Sequence, residues 1–299
     1  MKTPDNQFTF IQRRQEFERR YFEQLKDSDV IKSITVVDVN TTELCNRTCV
    51  FCPRHDPEVF PNRHLHMTGD GATIIAKKLQ TIDYFGTIAI SGFGENSLNP
   101  NILEVIQAFR DHCPKSFIEM NTNGDPLTAK KVQGLLDHGL DCLNINLYDG
   151  PEQMEKFNEM LKDIPTERYK YRAHWKTEDY GIIYNNRSGV VKWFKRDELK
   201  DVKHSPCYYP FYKMFVDWNG DVLFCANDWG RTRVVGNLLQ QSVDEVWMGR
   251  EMRKIRLKLT KGDRNFKPCM TCSVNGTLVG QQSHDILMEY YYENNRHRR

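Results

Sequence analysis

The chain lacks an excess of either charge: 42 Lys and Arg against 40 Asp and Glu leave +2 over 299 residues. That excludes the one-sided electrostatic footprint by which proteins bind nucleic acid or anionic membranes. No apolar run approaches the roughly 20 residues a bilayer-spanning helix needs. The opening segment, MKTPDNQFTFIQRRQEFERR, has no apolar secretion core. Low-complexity linkers and solenoid repeats are missing too. With 39% hydrophobic and 27% charged residues the composition is that of a globular chain of one large or two smaller domains. The expectation is a cytoplasmic protein without nucleic-acid or membrane partners. What the chain does not lack is cysteine. Nine of them in a reducing compartment point to metal ligands, catalytic groups or buried fillers rather than disulfides.

The cysteines fall into three groups: Cys45, Cys49 and Cys52; Cys207, Cys225, Cys269 and Cys272; and the separate Cys113 and Cys142. Between the first two groups the pattern alternates. Strands are expected over 33–40, 86–91, 116–123, 142–147 and 169–175, and helices over 70–80, 99–113, 128–138 (ending at Gly139) and 152–163. Such strand–helix units build a parallel sheet with right-handed crossovers. A closed eight-unit barrel takes about 250 residues, so the expected fold is α/β, a partial (β/α)5–6 TIM-like barrel. Residues 182–185 are a candidate sixth strand. A C-terminal β-hairpin plus helix follows.

Along the strands the polar residues keep one phase: Asp38 and Asn40; Glu119, Asn121 and Asn123; Asn144 and Asn146; Arg172 and His174. Side chains two apart share a face. The outer face of a helix-covered strand is apolar, so the polar phase should line the interior. It is concentrated toward the C-terminal strand ends, where such sheets place their sites. That arrangement suits a small polar substrate.

The first cysteine group, C-x3-C-x2-C, lies on the loop after the first strand. Three thiols so spaced can grip three corners of a cubane and leave one iron open to a chelator. A zinc site with His55 as fourth ligand is the plainer alternative. With Phe51 just before the last cysteine, the motif resembles the signature of the radical S-adenosylmethionine (SAM) superfamily. Gly92-Phe93-Gly94-Glu95 resembles that family's glycine-rich motif at the methionine amino group, with Phe93 where a glycine is usual. Asn121-Thr122-Asn123-Gly124 and Asn146 resemble its ribose and carboxylate contacts. The resemblance implies a [4Fe–4S] cluster, bound SAM as its chelator, and reductive cleavage to a 5′-deoxyadenosyl radical that abstracts hydrogen from substrate. It also implies a flavodoxin- or ferredoxin-type electron donor. Phe51, Gly92, Gly94, Glu95, Asn121, Asn123 and Asn146 become the expected cofactor contacts, and Arg172 a partner for a methionine carboxylate or a substrate oxygen.

In the C-terminal third, Asn219-Gly220 is a strong hairpin signal between strands over 211–218 and 221–226. Ser242 and Glu245 form a capping box that opens a helix expected to run to Leu259, after which Cys269-x2-Cys272 returns. Four thiols there fit either a zinc ribbon or a cubane. Cys207, Gly220, Cys225 and the C-x2-C pair resemble the SPASM extension in its shortened twitch form, and 186–189 (Asn-Arg-Ser-Gly) resembles a segment that precedes it in that group. The implied domains are an N-terminal helical extension (1–32), the radical SAM partial barrel (33–190) and a twitch/SPASM-like domain (191–299) with one auxiliary [4Fe–4S] cluster.

A fully ligated auxiliary cluster implies electron transfer, hence oxidation of an alcohol or amino-alcohol, on a sugar, cyclitol or amino-acid-derived skeleton. His174 and Glu119 are candidate bases, and with Arg172 the candidate catalytic groups. Three readings compete. One is an epimerase with Cys142 or Cys113 returning a hydrogen atom. Another is a peptide-modifying enzyme, and the third a non-catalytic zinc-binding protein.

Overall fold

The computed structural model describes residues 4–25, 29–175, 185–193 and 201–296. Five parallel strands follow one another in the sheet: β1 (Val36–Val39), β2 (Thr87–Ile90), β3 (Phe117–Thr122), β4 (Cys142–Leu147) and β5 (Tyr169–Ala173). The crossover helices are α2 (Gly69–Thr81), α3 (Ile102–His112), α4 (Ala129–Asp137) and α5 (Glu152–Met160). β1, β2 and β4 are buried at every position, as strands covered on both faces must be. Thr68 and Thr128 cap α2 and α4 through their hydroxyls. Gly139, at φ 102°, ends the α4 segment as expected. Pro100 lies outside α3, which starts after Asn101.

A sixth parallel strand comes from an unexpected place. β6 (Lys213–Val216) pairs in parallel with β1 on the side away from β2, with Val36 opposite Lys213 and Val39 opposite Val216. β7 (Asp221–Leu223) and β8 (Val234–Asn237) extend the same sheet antiparallel, giving the order β5-β4-β3-β2-β1-β6-β7-β8. The expected hairpin is therefore present, but its first arm also continues the barrel sheet. Residues 209–212 are not strand; they form the short helix α6 (Tyr209–Tyr212). Of the candidate strand over 182–185, all but Asn185 lies outside the described residues.

The capping box at Ser242 and Glu245 is formed, but the helix it opens is only α7 (Val243–Trp247). Gly249 separates it from α8 (Arg250–Thr260), and a Cβ there would stand 2.7 Å from the Glu245 carbonyl. α9 (Gln281–Arg296) follows the last cysteines. At the other end, Asp5 joins the edge of β5, donating to the Tyr171 carbonyl at 2.8 Å and accepting from Ala173 N at 3.2 Å. This anchors α1 (Gln7–Glu23) against the sheet, and Phe10 and Arg14 reach the interior. No helix of the described residues is long and apolar enough to cross a membrane.

Candidate active site

The inward polar phase opens onto a cavity of about 390 Å³. Asp38, Asn121, Asn123, Asn146, Arg172 and His174 line it, as strand alternation requires. So do Cys45, Cys49, Cys52, Phe51, Gly92, Gly94 and Glu95 from the loops after β1 and β2. Three inward residues, Asn40, Glu119 and Asn144, lie outside it. Asn40 donates to Asp217 at 2.7 Å and accepts from Phe93 N at 2.8 Å, so it fastens β1 to the hairpin and to the glycine-rich turn. Glu119, a candidate base, does not reach the cavity. Its carboxylate is tied to Arg14 of α1 and accepts from Asn144 at 3.2 Å. Burial pushes that carboxyl up, but Arg14 outweighs it and the net shift is downward. Glu119 is an anchor for α1, a partner the sequence pattern of β3 alone does not reveal.

The first cysteine loop is latched from several directions. Asn62 accepts from Cys45 N at 2.9 Å and donates to the Cys45 carbonyl at 3.0 Å. Arg47, inside the C-x3-C spacing, contacts Asp125 at 2.6 Å and Asp149 at 2.6 Å, which binds the loop to the turns after β3 and β4. Arg54 donates to the Phe93 carbonyl at 2.5 Å and to Asn62 at 2.9 Å, with its guanidinium 4.8 Å from the Phe60 ring centre. Phe51 joins Tyr148 and His174 in an aromatic trio with centroids 5.0–5.8 Å apart, forming one apolar wall of an otherwise polar cavity.

The glycine-rich turn brings backbone close to this loop. Gly92 sits at φ 136°, and a Cβ on Gly94 would lie 2.3 Å from the Thr42 carbonyl and 2.7 Å from that of Leu44. Glu95 N donates to the Leu44 carbonyl at 2.7 Å. The buried Glu95 carboxylate accepts from Ser97 Oγ (2.6 Å), Thr122 Oγ1 (2.7 Å) and Asn123 N (2.7 Å). Burial raises its pKa against these bonds. Glu95 thus ties the ends of β2 and β3 together at the rim of the cavity. Asn123 donates to Asn46 at 2.8 Å and Asn146 to the Thr122 carbonyl at 3.2 Å.

His174 Nε2 lies 2.8 Å from Asn146 Oδ1. Because Asn146 Nδ2 is the donor to Thr122, that oxygen is an acceptor, so the imidazole carries its proton on Nε2 and leaves Nδ1 as the acceptor. Burial, then the charges of Arg172 and Arg187, hold its pKa down to about 3. Arg172 lies 4.1 Å from the centre of the Phe10 ring.

The four cysteines of the second group converge from three separated segments, away from the cavity lining. Cys207 and Cys269 are buried, Cys225 and Cys272 half-buried. Among the described residues no three Cys, His, Asp or Glu side chains close to the spacing of a single metal ion, yet the thiols of each group feel one another's charge. Burial, then its neighbours Cys52 and Cys45, pushes Cys49 up to about 12. Burial likewise raises Cys207 to about 11 and shifts Cys225 and Cys269 upward, the latter reinforced by Cys225, Cys207 and Cys272. Buried thiols that repel one another's thiolates are a donor set that a cationic centre stabilises, with release of protons. Gly276 makes room for this group, since a Cβ there would stand 2.2 Å from Cys207 Sγ. Cys113 and Cys142 do not line the cavity; both are buried, Cys113 with its thiol 3.7 Å from the Ala76 carbonyl and Cys142 at the start of β4.

Sequence reasoning passed over Phe10, Arg14, Lys213, Tyr209 and Trp229, which also line the cavity. Lys213 pairs with Asp38 at 2.8 Å. Only the pairing of β6 with β1 and the docking of α1 bring them in. A cationic residue beginning a buried strand was the one local signal available, at Lys213.

The radical SAM superfamily model matches residues 39–181, and the model described as an iron-sulfur cluster-binding domain, SPASM, matches 207–273. The S-adenosyl-L-methionine-dependent 2-deoxy-scyllo-inosamine dehydrogenase of Niallia circulans is 24% identical over 267 residues, 86% of this chain and 99% of that protein. A GTP 3′,8-cyclase of Clostridium perfringens (strain 13 / Type A) is 23% identical over 186 residues, 62% of this chain and 56% of the cyclase. The crystal structure of BtrN in complex with AdoMet and 2-DOIA superposes with a TM-score of 0.71 at 23% identity, covering 83% of this chain and 96% of that one. Selenomethionine BtrN in an open conformation gives 0.61 at 20%, over 84% and 97%. A radical SAM domain brings SAM and the [4Fe–4S] cluster that binds it, and a SPASM domain brings auxiliary iron–sulfur chemistry. The two matches follow one another over the parallel strands and the hairpin-and-helix block, and the chain thus carries a radical S-adenosylmethionine superfamily domain followed by a SPASM iron–sulfur domain.

Proposed function

We propose that the chain is a radical dehydrogenase for a small polar substrate, an alcohol or amino-alcohol. In this reading Cys45, Cys49 and Cys52 hold the SAM-binding cluster, and Cys207, Cys225, Cys269 and Cys272 hold one fully ligated auxiliary cluster. The division follows the expected domains, 33–190 and 191–299, with a flavodoxin- or ferredoxin-type donor supplying the first electron. The carrying observation is the contrast between the two thiol groups: three on the cavity wall, four behind it. When bound, the SAM-carrying cluster supplies hydrogen-atom abstraction from an unactivated C–H bond and the auxiliary cluster accepts one electron, a net two-electron oxidation.

The chain's own residues do the rest. Phe51 and Tyr148 give an adenine-sized apolar surface; Gly92 and Gly94 let backbone approach; Asn121, Asn123 and Asn146 present amides to hydroxyl groups. Glu95 fixes the geometry of that rim. Arg172 orients a substrate oxygen, and His174, held neutral, offers Nδ1 as a hydrogen-bond acceptor to a substrate hydroxyl. An epimerase with a cysteine hydrogen donor is less well served, because Cys113 and Cys142 lie off the cavity. The dehydrogenase of Niallia circulans is named for 2-deoxy-scyllo-inosamine, which makes aminocyclitols and polyols the first panel to test. Anaerobically reconstituted enzyme, SAM and a reductant should give 5′-deoxyadenosine and a ketone product in equal amounts from one panel member. A product at the substrate's own oxidation level, with hydrogen from solvent, would replace this reading with epimerisation.

A further inference from the structure

Residues 185–193 return to the cavity as a tight turn. Arg187 (φ 46°) and Ser188 (φ 56°) are both left-handed non-glycine residues, and Gly189 (φ 87°) keeps the same hand. Each non-glycine residue there costs roughly 1 kcal/mol or more, so the surroundings must over-determine the turn. Asn186 Nδ2 donates to the Thr271 carbonyl at 2.5 Å, and Asn186 Oδ1 accepts from Ser273 N at 3.1 Å. The Thr271 hydroxyl donates to the Ser188 carbonyl at 2.8 Å. The turn is thereby clipped to the segment carrying Cys269 and Cys272, and it holds Arg187 on the cavity wall.

Three other cations of that wall have acidic partners: Arg14 has Glu119, Lys213 has Asp38, and Arg47 has Asp125 and Asp149. Arg54 is instead spent on the Phe93 carbonyl and Asn62. Arg187 forms no ion pair among the described residues, and its buried Nε makes no hydrogen bond. It sits within electrostatic reach of Arg172 and His174. A half-buried guanidinium with no acidic partner among the described residues is poorly compensated, and its paired N–H groups fit a planar or tetrahedral oxyanion. We infer that Arg187 receives an acidic group of the substrate, a carboxylate or a phosphate, carried beside the alcohol or amino-alcohol that is oxidised. The inference deepens the dehydrogenase reading and rests on the same cavity.

The test is equilibrium binding by calorimetry to the reconstituted, SAM-bound holoenzyme, with glucose, glucuronate and glucose 6-phosphate as probes. At least one acid should bind about tenfold or more tighter than glucose, and which acid wins separates carboxylate from phosphate. Arg187→Gln should erase that preference, Arg187→Lys should retain part of it, and SAM affinity should stay within about twofold in both. Acids binding no better than glucose, or a preference that survives Arg187→Gln, would overturn the inference. So would loss of SAM binding with the preference intact, which would assign Arg187 to the cosubstrate's carboxylate. Binding is read without turnover, so absence of an oxidised product would sink the dehydrogenase and leave this result standing.

Discussion

The two thiol groups are built by opposite means. Cys45, Cys49 and Cys52 sit within eight residues on one loop, and neighbours such as Arg47, Asn62 and Arg54 latch that loop to three strand ends. The second group gathers Cys207, Cys225, Cys269 and Cys272 from before α6, after β7 and after α8, with Gly276 pressed against Cys207. The local group lies on the cavity wall; the dispersed one lies off it, with Cys207 and Cys269 buried and Cys225 and Cys272 half-buried. A short loop can leave one side of a cluster open to a chelating cosubstrate, whereas three convergent segments can enclose theirs with four ligands. Openness suits a site of bond cleavage, and enclosure suits electron transfer.

Substitution should separate the two groups most sharply. Serine at Cys45, Cys49 or Cys52 should lower 5′-deoxyadenosine formation by about 100-fold or more, since the open cluster is lost. Serine at Cys269 should leave that cleavage within about threefold while abolishing the oxidised product. Chromatographic quantification of both products checks the pair, and equal loss of cleavage in all four variants would break the contrast. The next effect is steric. Gly276→Ala places a methyl where Cys207 Sγ now lies, 2.2 Å away, and should lose the auxiliary iron alone. Gly94→Ala meets the Thr42 carbonyl at 2.3 Å and should disturb the first loop alone. Iron per chain and electron paramagnetic resonance distinguish the outcomes.

A smaller effect is expected where the first loop is latched. Arg47→Ala removes a partly exposed ion-pair network worth about 1 kcal/mol after solvent screening, and should weaken SAM binding roughly fivefold without changing the second centre. A titration followed by cluster spectroscopy measures it. The smallest effect concerns protons. With its pKa held down to about 3, His174 stays neutral in the fold where the unfolded side chain, near 6.5, begins to take up a proton. The unfolded state therefore gains protons first, and His174 costs stability progressively as pH falls from about 6.5 toward 3. His174→Asn should narrow the stability gap between pH 7.5 and pH 5 in denaturant titrations. An unchanged gap would show that the imidazole is not held neutral.

Much of the cavity was legible because strand alternation is a local code. The polar phase of β3, β4 and β5 sends Asn121, Asn123, Asn146, Arg172 and His174 to one place wherever the strands lie parallel. The same code misplaced Glu119: it gives a face, not a partner, and the Arg14 that neutralises it comes from 105 positions earlier. The helix after the capping box looked continuous because its apolar spacing runs across Gly249. The break there is set by how the Glu245 carbonyl packs.

By itself, the amino-acid sequence determined the alternating strands and helices, the inward polar phase, and the two cysteine groups with their division of three and four. Each of these depends on residue types at short, fixed spacing. Tertiary structure decided that β6 joins β1, that α1 carries Phe10 and Arg14 into the cavity, and that the turn at Arg187 is pinned by Thr271 and Ser273. These depend on contacts between segments tens to hundreds of residues apart, whose free energy comes from burial and hydrogen bonding in one particular packing and leaves no periodic trace along the chain.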